Sequence, residues 1–199
     1  MLYLSSENRN FCDGNKPVYF TEVILMNIVK AKPGDYQKIR AFYHSLIDAL
    51  DGLEYSPAWK KDIYPASEDL KEAVNQGWLY YAEENGSIMA SMVLNHKYND
   101  AYKNVTWNIS AEPEKIMIIH MLGVHRDFSR QGVGKAMVRF ALAFAKQTGM
   151  KTVRLDVWKG NLPAEKLYEG SGFKCAAITP MFYEDTGWSD FELYEYQVE

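Results

Sequence analysis

The spacing of hydrophobic residues changes along the chain from that of a strand to that of a helix and back. Residues 26–31 form a short apolar run, which predicts a strand. Apolar residues then recur every three or four positions up to Leu50, and Gly52 ends the pattern, which predicts a first helix. Residues 53–66 contain prolines among several aromatic residues and are predicted to form an irregular loop.

A second helix and a hairpin are predicted next. Ser67, which is followed by two acidic residues, is predicted to cap a helix that ends near residues 75–77. Strands over 78–83 and 88–95 flank an Asn-Gly pair, which favours the tight turn of a β-hairpin. Residues 97–113 are polar and are predicted to form a loop.

The second half of the chain begins with an almost continuous apolar run over residues 116–124, as expected for a strand that is buried on both faces. The next helix is predicted to bury one face formed by Val133, Met137, Phe140 and Phe144.

The remaining segments complete a mixed α/β pattern. Strands are predicted over residues 152–158, 173–183 and 191–198, with a helix over residues 163–171 between the first two. The full order is β-α-α-β-β-β-α-β-α-β-β, which predicts a mixed α/β domain over residues 26–199.

Composition restricts the classes of function. The 199 residues are 47% hydrophobic and carry a net charge of −4, which argues against a broad nucleic-acid surface. No apolar stretch approaches the length of a membrane span. Cys12 and Cys175 stand far apart and without metal-site spacing, so we expect no metal, no disulfide framework and a reducing, cytoplasmic location.

The first 25 residues show no clear period and lack the order of a secretory signal. We expect residues 1–25 to be an N-terminal extension, either a tail or an added strand. Met26 is an alternative natural start.

A glycine-rich segment follows the apolar strand where the third helix begins. Unpaired N–H groups at a helix N-terminus attract phosphate, and glycine lacks the Cβ atom that would keep a diphosphate away. A P-loop fits poorly because Ser129 and Ala136 replace its first glycine and its hydroxyl residue. Met137 likewise disfavours a dinucleotide fingerprint. The alternative is that the glycines only ease a tight turn. The candidate phosphate-binding residues are Ser129, Arg130, Gln131, Gly132, Val133, Gly134 and Lys135.

A second motif stands about thirty residues further on. Asn161 is predicted to cap a helix, and Tyr168 lies in the middle of that helix. For Tyr168 taken in isolation, the alternative to a functional role is that of a core or interface tyrosine.

Together the two segments resemble the GNAT superfamily of acetyl-CoA-dependent N-acetyltransferases. That family shows Arg/Gln-x-x-Gly-x-Gly/Ala at its third helix and Asn-x-x-Ala-x-x-Leu-Tyr-x-x-x-Gly-Phe further on. The second pattern is matched here by Asn161, Ala164, Leu167, Tyr168, Gly172 and Phe173. The first pattern departs at Ser129, where the family usually has Arg or Gln. The resemblance implies a GNAT fold, with a mixed, mostly antiparallel sheet that is splayed between its fourth and fifth strands.

The resemblance also implies roles for individual residues. Residues 131–135 are expected to bind the pyrophosphate of acetyl-CoA, and the backbone of Leu122, Gly123 and Val124 its pantetheine arm, with Asn161 and Ala164 nearby. A backbone N–H from about Leu122 is expected to polarise the thioester carbonyl. Tyr168 matches the usual general acid.

The general base is not defined by either motif. His120 lies on the fourth strand, near the position where the family often has Glu, and its ordinary pKa of about 6.5 suits a base. The competing interpretation is a buried, hydrogen-bonded histidine.

The acceptor is expected to be an amine of a small molecule or peptide. The resemblance places its pocket among the first two helices, their loop and the last strand pair. It predicts the substrate-binding residues Tyr55, Trp59, Tyr64, Tyr183 and Trp188, with contributions from Phe182 and Glu184. The alternative for these aromatic residues is a role in the core or in a dimer. Two other functions stay open: acetylation of a protein N-terminus or lysine, and non-catalytic sensing of CoA. A homodimer is a family-level expectation.

Overall fold

A seven-stranded sheet runs through the computed structural model, which describes residues 26–199. The predicted extension over residues 1–25 lies outside the described part of the chain. The predicted order of strands and helices is confirmed. The strands are Ile28–Lys30 (β1), Leu79–Glu84 (β2), Ser87–Asn95 (β3), Ile116–Val124 (β4), Thr152–Trp158 (β5), Lys174–Tyr183 (β6) and Gly187–Gln197 (β7). The helices are Tyr36–Leu50 (α1), Ser67–Asn75 (α2), Val133–Gln147 (α3) and Leu162–Glu169 (α4).

The strands lie in the order β1-β2-β3-β4-β5-β7-β6. β4 and β5 run parallel, whereas the other neighbouring strands among the described residues run antiparallel. Pairing of β4 with β5 is confined to Ile116–Ile118 and Thr152–Arg154. Beyond these residues the two strands separate, which confirms the predicted splay and leaves a wedge-shaped opening in the sheet.

Helices cover both faces of the sheet. One core cluster joins α3 and α4 to one face, and a second joins α1 and α2 to the other. Side chains along β2 alternate between the two faces of the sheet. Leu79 and Tyr81 pack in the second cluster, and Tyr80 packs in the first. With both faces buried, the central strands show apolar runs instead of alternating polarity.

The β2–β3 hairpin has the turn that its sequence predicts. Asn85 and Gly86 have φ angles of +48° and +83°, and two successive positive φ angles are typical of a type I′ turn.

Two details differ from the sequence prediction. The buried face of α3 is formed by Val133, Met137 and three neighbouring small or β-branched residues, Val138, Ala141 and Ala145. Phe140 and Phe144 flank this face and pack their rings on Tyr80, because the sheet approaches too closely for aromatic side chains at its centre. Ser67 is the first residue of α2 instead of its cap, and its hydroxyl donates to Asp62.

The polar segment 97–113 is largely irregular, as predicted, but contains a short 3-10 helix, Asp100–Asn104. Tyr102 of this helix is buried and reaches back toward β5. The segment therefore forms part of the wall beside the opening between β4 and β5.

Candidate active site

A β-bulge in β4 lies where the sheet begins to open. His120 pairs with Val93 and Gly123 with Ser91, so Met121 and Leu122 together face the single residue Met92. Met121 has a φ angle of +54°, a left-handed conformation that a side chain rarely adopts. A bulge leaves its extra residue outside the regular ladder, so we expect the N–H of Leu122 to be available to a ligand.

Helix α1 supports this bulge from behind. The hydroxyl of Tyr43 donates a 2.8 Å hydrogen bond to the carbonyl oxygen of Met121. Gly123 allows close packing of the same helix, since a Cβ atom there would lie 2.4 Å from Cδ2 of Leu46. The bulge is therefore held by a buried tyrosine and a close helix–strand contact.

Two clefts meet at the bulge. We name the first the apolar cleft; α1, the following loop, β4 and α4 line it, including Leu46, Leu53, Tyr55 and Leu167. We name the second the aromatic cleft; it contains Tyr64, His120, Trp158, Tyr183 and Phe191. Pro57, Trp59, Leu122, Asn161, Ala164 and Tyr168 line both clefts. The junction thus collects the predicted residues Leu122, Asn161, Ala164 and Tyr168.

Tyr168 is 6% exposed and packs its ring against Phe173 and Tyr194. Burial, with a smaller effect from the negative charge of Asp156, raises the pKa of Tyr168 well above its ordinary value. The phenol is therefore protonated at neutral pH and suited to donate a proton at the junction.

His120 lines the aromatic cleft, and its Nε2 lies 2.9 Å from the carbonyl oxygen of Lys97 and 3.1 Å from Oδ1 of Asn95. Because both partners are oxygen acceptors, we assign the ring proton to Nε2. Burial lowers the pKa of His120, although the charge of Asp156 opposes the shift. The neutral ring then has an unprotonated Nδ1, which is the form that a general base requires.

The predicted phosphate-binding segment lies beside the apolar cleft. Gly132 precedes α3 with a φ angle of +80°, and no side chain caps the helix. A Cβ atom on Gly134 would lie 3.2 Å from Leu167 and 3.6 Å from Val124, both of which line the apolar cleft. Ser129, Arg130, Gln131 and Lys135 are exposed, whereas the side chain of Val133 is in the core and leaves only its backbone for a ligand.

An apolar cleft that ends at a free helix N-terminus fits a ligand with a long apolar arm and a diphosphate. We expect Gly132→Ala to weaken acetyl-CoA binding about tenfold, since the left-handed turn and the open backbone are both disturbed. Gly86→Ala is a matched control, because Gly86 also has a positive φ angle and open space at its Cβ position. Calorimetric titration would contradict this role if both variants bound acetyl-CoA equally well.

The α1–α2 loop forms one wall of the aromatic cleft and is tied down at two places. Asp62 accepts hydrogen bonds from Arg40, at 2.8 Å, and from Ser67. The Nζ atom of Lys60 donates to the backbone carbonyl of Asp185 in the β6–β7 turn at 2.9 Å. The loop is thereby fixed against the last strand pair, across the cleft.

Rings from this loop continue into the strand pair. Trp59 lies 5.6 Å from Tyr64, and Tyr64 lies 5.7 Å from Tyr183, as measured between ring centroids. Three of the predicted substrate-binding residues therefore share one surface. Tyr55 instead lines the apolar cleft.

The structure does not bring Trp188 to either cleft. Trp188 is 74% exposed and packs on Phe182 at 5.9 Å. The two residues are paired across the β6–β7 hairpin, and their side chains occupy its outer face, whereas the next residue, Tyr183, faces the cleft.

Two acidic residues in the aromatic cleft were not predicted from the sequence. Asp156 of β5 accepts hydrogen bonds from Tyr102 at 2.7 Å and from Tyr183 at 3.0 Å. Asp185 is 6% exposed, and its buried Oδ1 has no hydrogen-bond partner among residues 26–199. Asp156 interrupts the apolar residues of β5, and this acid could have been noticed in the sequence. Asp185 lies in a turn, and no sequence signal marked its position.

Asp185→Asn is expected to raise the midpoint of thermal unfolding at neutral pH by about 2–4 °C. Burial raises the pKa of Asp185, while neighbouring amides and Lys60 partly oppose this effect. The folded state thus binds this proton more readily than the unfolded state, so protonation of Asp185 stabilises the fold. The stabilisation is complete at pH values below the ordinary pKa of the carboxyl group and is lost as the pH rises through its folded-state pKa. The gain from asparagine should therefore disappear in acid.

Differential scanning calorimetry at two pH values measures this difference. Glu184→Gln is the control, since Glu184 is an exposed residue of the same turn. A lower unfolding midpoint for Asp185→Asn at neutral pH would show that the carboxylate stabilises the fold.

Comparison with known proteins identifies the family. A model of the acetyltransferase (GNAT) family matches residues 42–173, about two thirds of the chain. The chain belongs to the GNAT family. This family comprises acyltransferases that use acetyl-CoA as the acetyl donor.

Curated relatives within the GNAT family match shorter stretches. The chain is 28% identical over 117 residues to the [ribosomal protein bS18]-alanine N-acetyltransferase of Escherichia coli strain K12, covering 57% of this chain and 68% of that protein. It is 41% identical over 61 residues to N-acetyltransferase 8 of Homo sapiens, covering 31% of this chain and 27% of that protein. The chain thus spans about a quarter of the length of the human relative.

Solved GNAT structures share the fold at low sequence identity. An acetyltransferase of the GNAT family from Streptococcus pneumoniae superposes with a TM-score of 0.65 at 19% identity, covering 87% of this chain and 99% of that chain. The structure of yncA from Salmonella typhimurium, determined with its cofactor acetyl-CoA, superposes with a TM-score of 0.60 at 16% identity, covering 87% and 94%.

Residues 26–199 contain neither a candidate membrane span nor a candidate metal cluster. No helix in this range is both long and apolar enough to cross a membrane. Within the same range, no three or more His, Cys, Asp or Glu side chains are grouped so that they could hold a metal ion.

Proposed function

We propose that the protein transfers the acetyl group of acetyl-CoA to a primary amine of a small molecule or peptide, within one domain over residues 26–199. The observation that carries this proposal is the junction of the two clefts at the β4 bulge. Leu122 and Tyr168 line both clefts there, and His120 lines the aromatic cleft beside them. One cleft suits the acetyl donor and the other an amine, so the two reactants would meet at these residues.

The apolar cleft and the α3 N-terminus would hold the donor. The backbone of Leu122–Val124 and the side chain of Asn161 line the path of an extended arm. The amides at Gly132–Lys135, with Arg130 and Lys135 at the rim, would bind the diphosphate. Acetyl-CoA would supply an activated thioester, which the amine attacks directly in a ternary complex.

Three groups would handle the charge and the protons. The N–H of Leu122 at the bulge would stabilise the negative charge that develops on the carbonyl oxygen. As the new C–N bond forms and the C–S bond breaks, Nδ1 of His120 would take the proton of the amine. The hydroxyl of Tyr168 would give a proton to the departing thiolate, so that one proton is taken up and one is released.

A peptide or protein N-terminus is the second candidate acceptor. The relative from Escherichia coli is named for acetylation of an alanine of a ribosomal protein, which favours this candidate. The contact of Lys60 with the β6–β7 turn favours the small molecule instead, because it joins the α1–α2 loop to that turn and a polypeptide acceptor would need a more open groove. A non-catalytic CoA sensor would bind acetyl-CoA but would have no use for Tyr168 at the junction.

The test is thiol release from acetyl-CoA across a panel of alkylamines, polyamines, aminoglycosides, amino acids and N-terminal peptides. We expect turnover with small amines, reduced strongly in Tyr168→Phe. Turnover with peptides alone would replace the small-molecule acceptor by the second candidate. Saturable binding of acetyl-CoA with no turnover on any amine would favour the sensor, and no binding at all would refute the proposal.

A further inference from the structure

The aromatic cleft contains acids but no permanent cation. Apart from His120, the charged side chains that line it are Asp156 and Asp185. An acceptor with a carboxylate or phosphate would meet two negative charges in this lining, and the ammonium group of Lys60 lies outside the lining, on the backbone carbonyl of Asp185. The cleft is therefore suited to cationic molecules. The two acids differ in whether their carboxylate oxygens have hydrogen-bond partners.

The carboxylate of Asp156 already has its partners. Each of its oxygens accepts a hydrogen bond from a tyrosine, Tyr102 or Tyr183. Its charge also contributes to the pKa values of Tyr168 and His120, which places it beside the reacting groups. Asp156 is thus a satisfied acid near the position of the amine that is acetylated.

The carboxylate of Asp185 is different. It is more than nine-tenths buried, and its Oδ1 has no hydrogen-bond partner in the described part of the chain. The nearby Lys60 donates to the backbone carbonyl of Asp185, and no cation among residues 26–199 forms a salt bridge with the carboxylate. Burying a carboxylate oxygen without a partner is costly, so such an atom in a ligand cleft points to a partner that the ligand brings.

The rings around Asp185 suit the same partner. Tyr64, Tyr183 and Phe191 line the same cleft as Asp185. Aromatic faces attract ammonium groups, and the attraction is larger where water is excluded. A carboxylate with aromatic neighbours is therefore a site for an organic cation.

We propose that the acceptor is an amine that is dicationic in solution, such as a diamine. One ammonium group loses a proton to solvent and is then acetylated at the junction as a neutral amine, while the second stays protonated and binds Asp185. This inference rests on the proposed acetyl transfer to an amine. It narrows the acceptor from amines in general to amines with a second positive charge at a fixed spacing. It disfavours amino acids and phosphorylated amines as acceptors.

The test compares α,ω-diaminoalkanes of increasing length with monoamines in which a methyl group replaces the second ammonium. We expect kcat/KM for at least one diamine to exceed that of its matched monoamine by about tenfold or more. In Asp185→Asn this ratio should fall toward one. Glu184→Gln removes the same charge from the same turn but is exposed and outside the cleft lining, and it should keep the wild-type ratio.

A measurement without a variant covers the case in which Asp185→Asn does not fold. Tetramethylammonium cannot be acetylated, and it should inhibit competitively against the preferred diamine but only weakly against monoamines. Equal kcat/KM for diamines and monoamines in the wild-type protein, or an equal loss of both in a folded Asp185→Asn, would overturn the inference. Turnover of monoamines shows in either case that the proposed acetyl transfer itself holds, whereas turnover of no amine would refute that function first.

Discussion

Tyr168→Phe is expected to lower kcat by about 10²–10⁴-fold, the range for loss of a positioned general acid. The substitution keeps the ring, which packs on Phe173 and Tyr194, so the junction of the clefts should keep its shape. It removes only the hydroxyl, whose raised pKa keeps it protonated at neutral pH. Affinity for acetyl-CoA should therefore change little while the rate falls.

Tyr194→Phe is the matched control for this experiment. Tyr194 is fully buried beside Tyr168, but its hydroxyl donates to Glu192 at 2.6 Å and lies outside the lining of both clefts. Its loss should reduce stability by about 1 kcal/mol without an effect on kcat of the size expected for Tyr168. Similar kcat values for both variants would contradict the role of Tyr168 as proton donor.

His120→Gln is expected to lower kcat by about 10²–10⁴-fold and to remove the acid limb of the pH–rate profile. Glutamine retains an N–H that can donate to the carbonyl of Lys97, so the hydrogen bond of His120 is replaced while the base is lost. Burial lowers the pKa of His120 from its ordinary value. In the wild-type protein, kcat should therefore be constant near neutral pH and should fall only as the pH drops through this lowered pKa.

His96→Gln is the control for the histidine experiment. His96 is more exposed than His120 but is also hydrogen-bonded, through Nδ1 to the carbonyl of Ile116, and it lines neither cleft. The pH profile of kcat at saturating amine should be unchanged in this variant. An acid limb that persists in His120→Gln would assign the titrating group elsewhere, and Asp156 would be the next candidate to test.

The bounds of the strands beside the site were predictable. β4 is an almost continuous apolar run, as in a strand that is buried on both faces. β5 alternates Arg154 and Asp156 with apolar residues, which is also a strand pattern. The Asn85-Gly86 turn was predictable for a local reason, the preference of these residues for positive φ angles. The junction residues Asn161 and Tyr168 were predicted from a motif that resembles one found in the GNAT family.

The features that a tertiary contact creates were not predictable. Nothing about Met121 favours a positive φ angle, and the bulge exists because Tyr43 and Leu46 of α1 hold β4 in that shape. Trp188 was placed in the acceptor pocket because the resemblance puts the last strand pair in the wall of that pocket. One step along a strand changes the face of the sheet, however, and Trp188 lies outside.

Asp185 shows the same limit at the acceptor site. Its sequence neighbours Glu184 and Thr186 are ordinary turn residues, and only the fold makes it a buried acid in an aromatic cleft. Residues that bind the common donor can be found from a motif. Trp59, Tyr64 and Tyr183 of the aromatic cleft were also predicted from the sequence, whereas Asp185, which we propose to select the acceptor, lies in a turn and was found only in the structure.

The most direct test of direct acetyl transfer from acetyl-CoA to an amine uses acetyl-CoA labelled with carbon-13 in its acetyl group. The purified protein is incubated with this donor and a diamine, and both products are followed by mass spectrometry. Direct transfer predicts that the amine gains one labelled acetyl group for every thiol released, and that the protein itself gains none. Thiol release without labelled amine, or a labelled acetyl-protein that accumulates before the product, would contradict it.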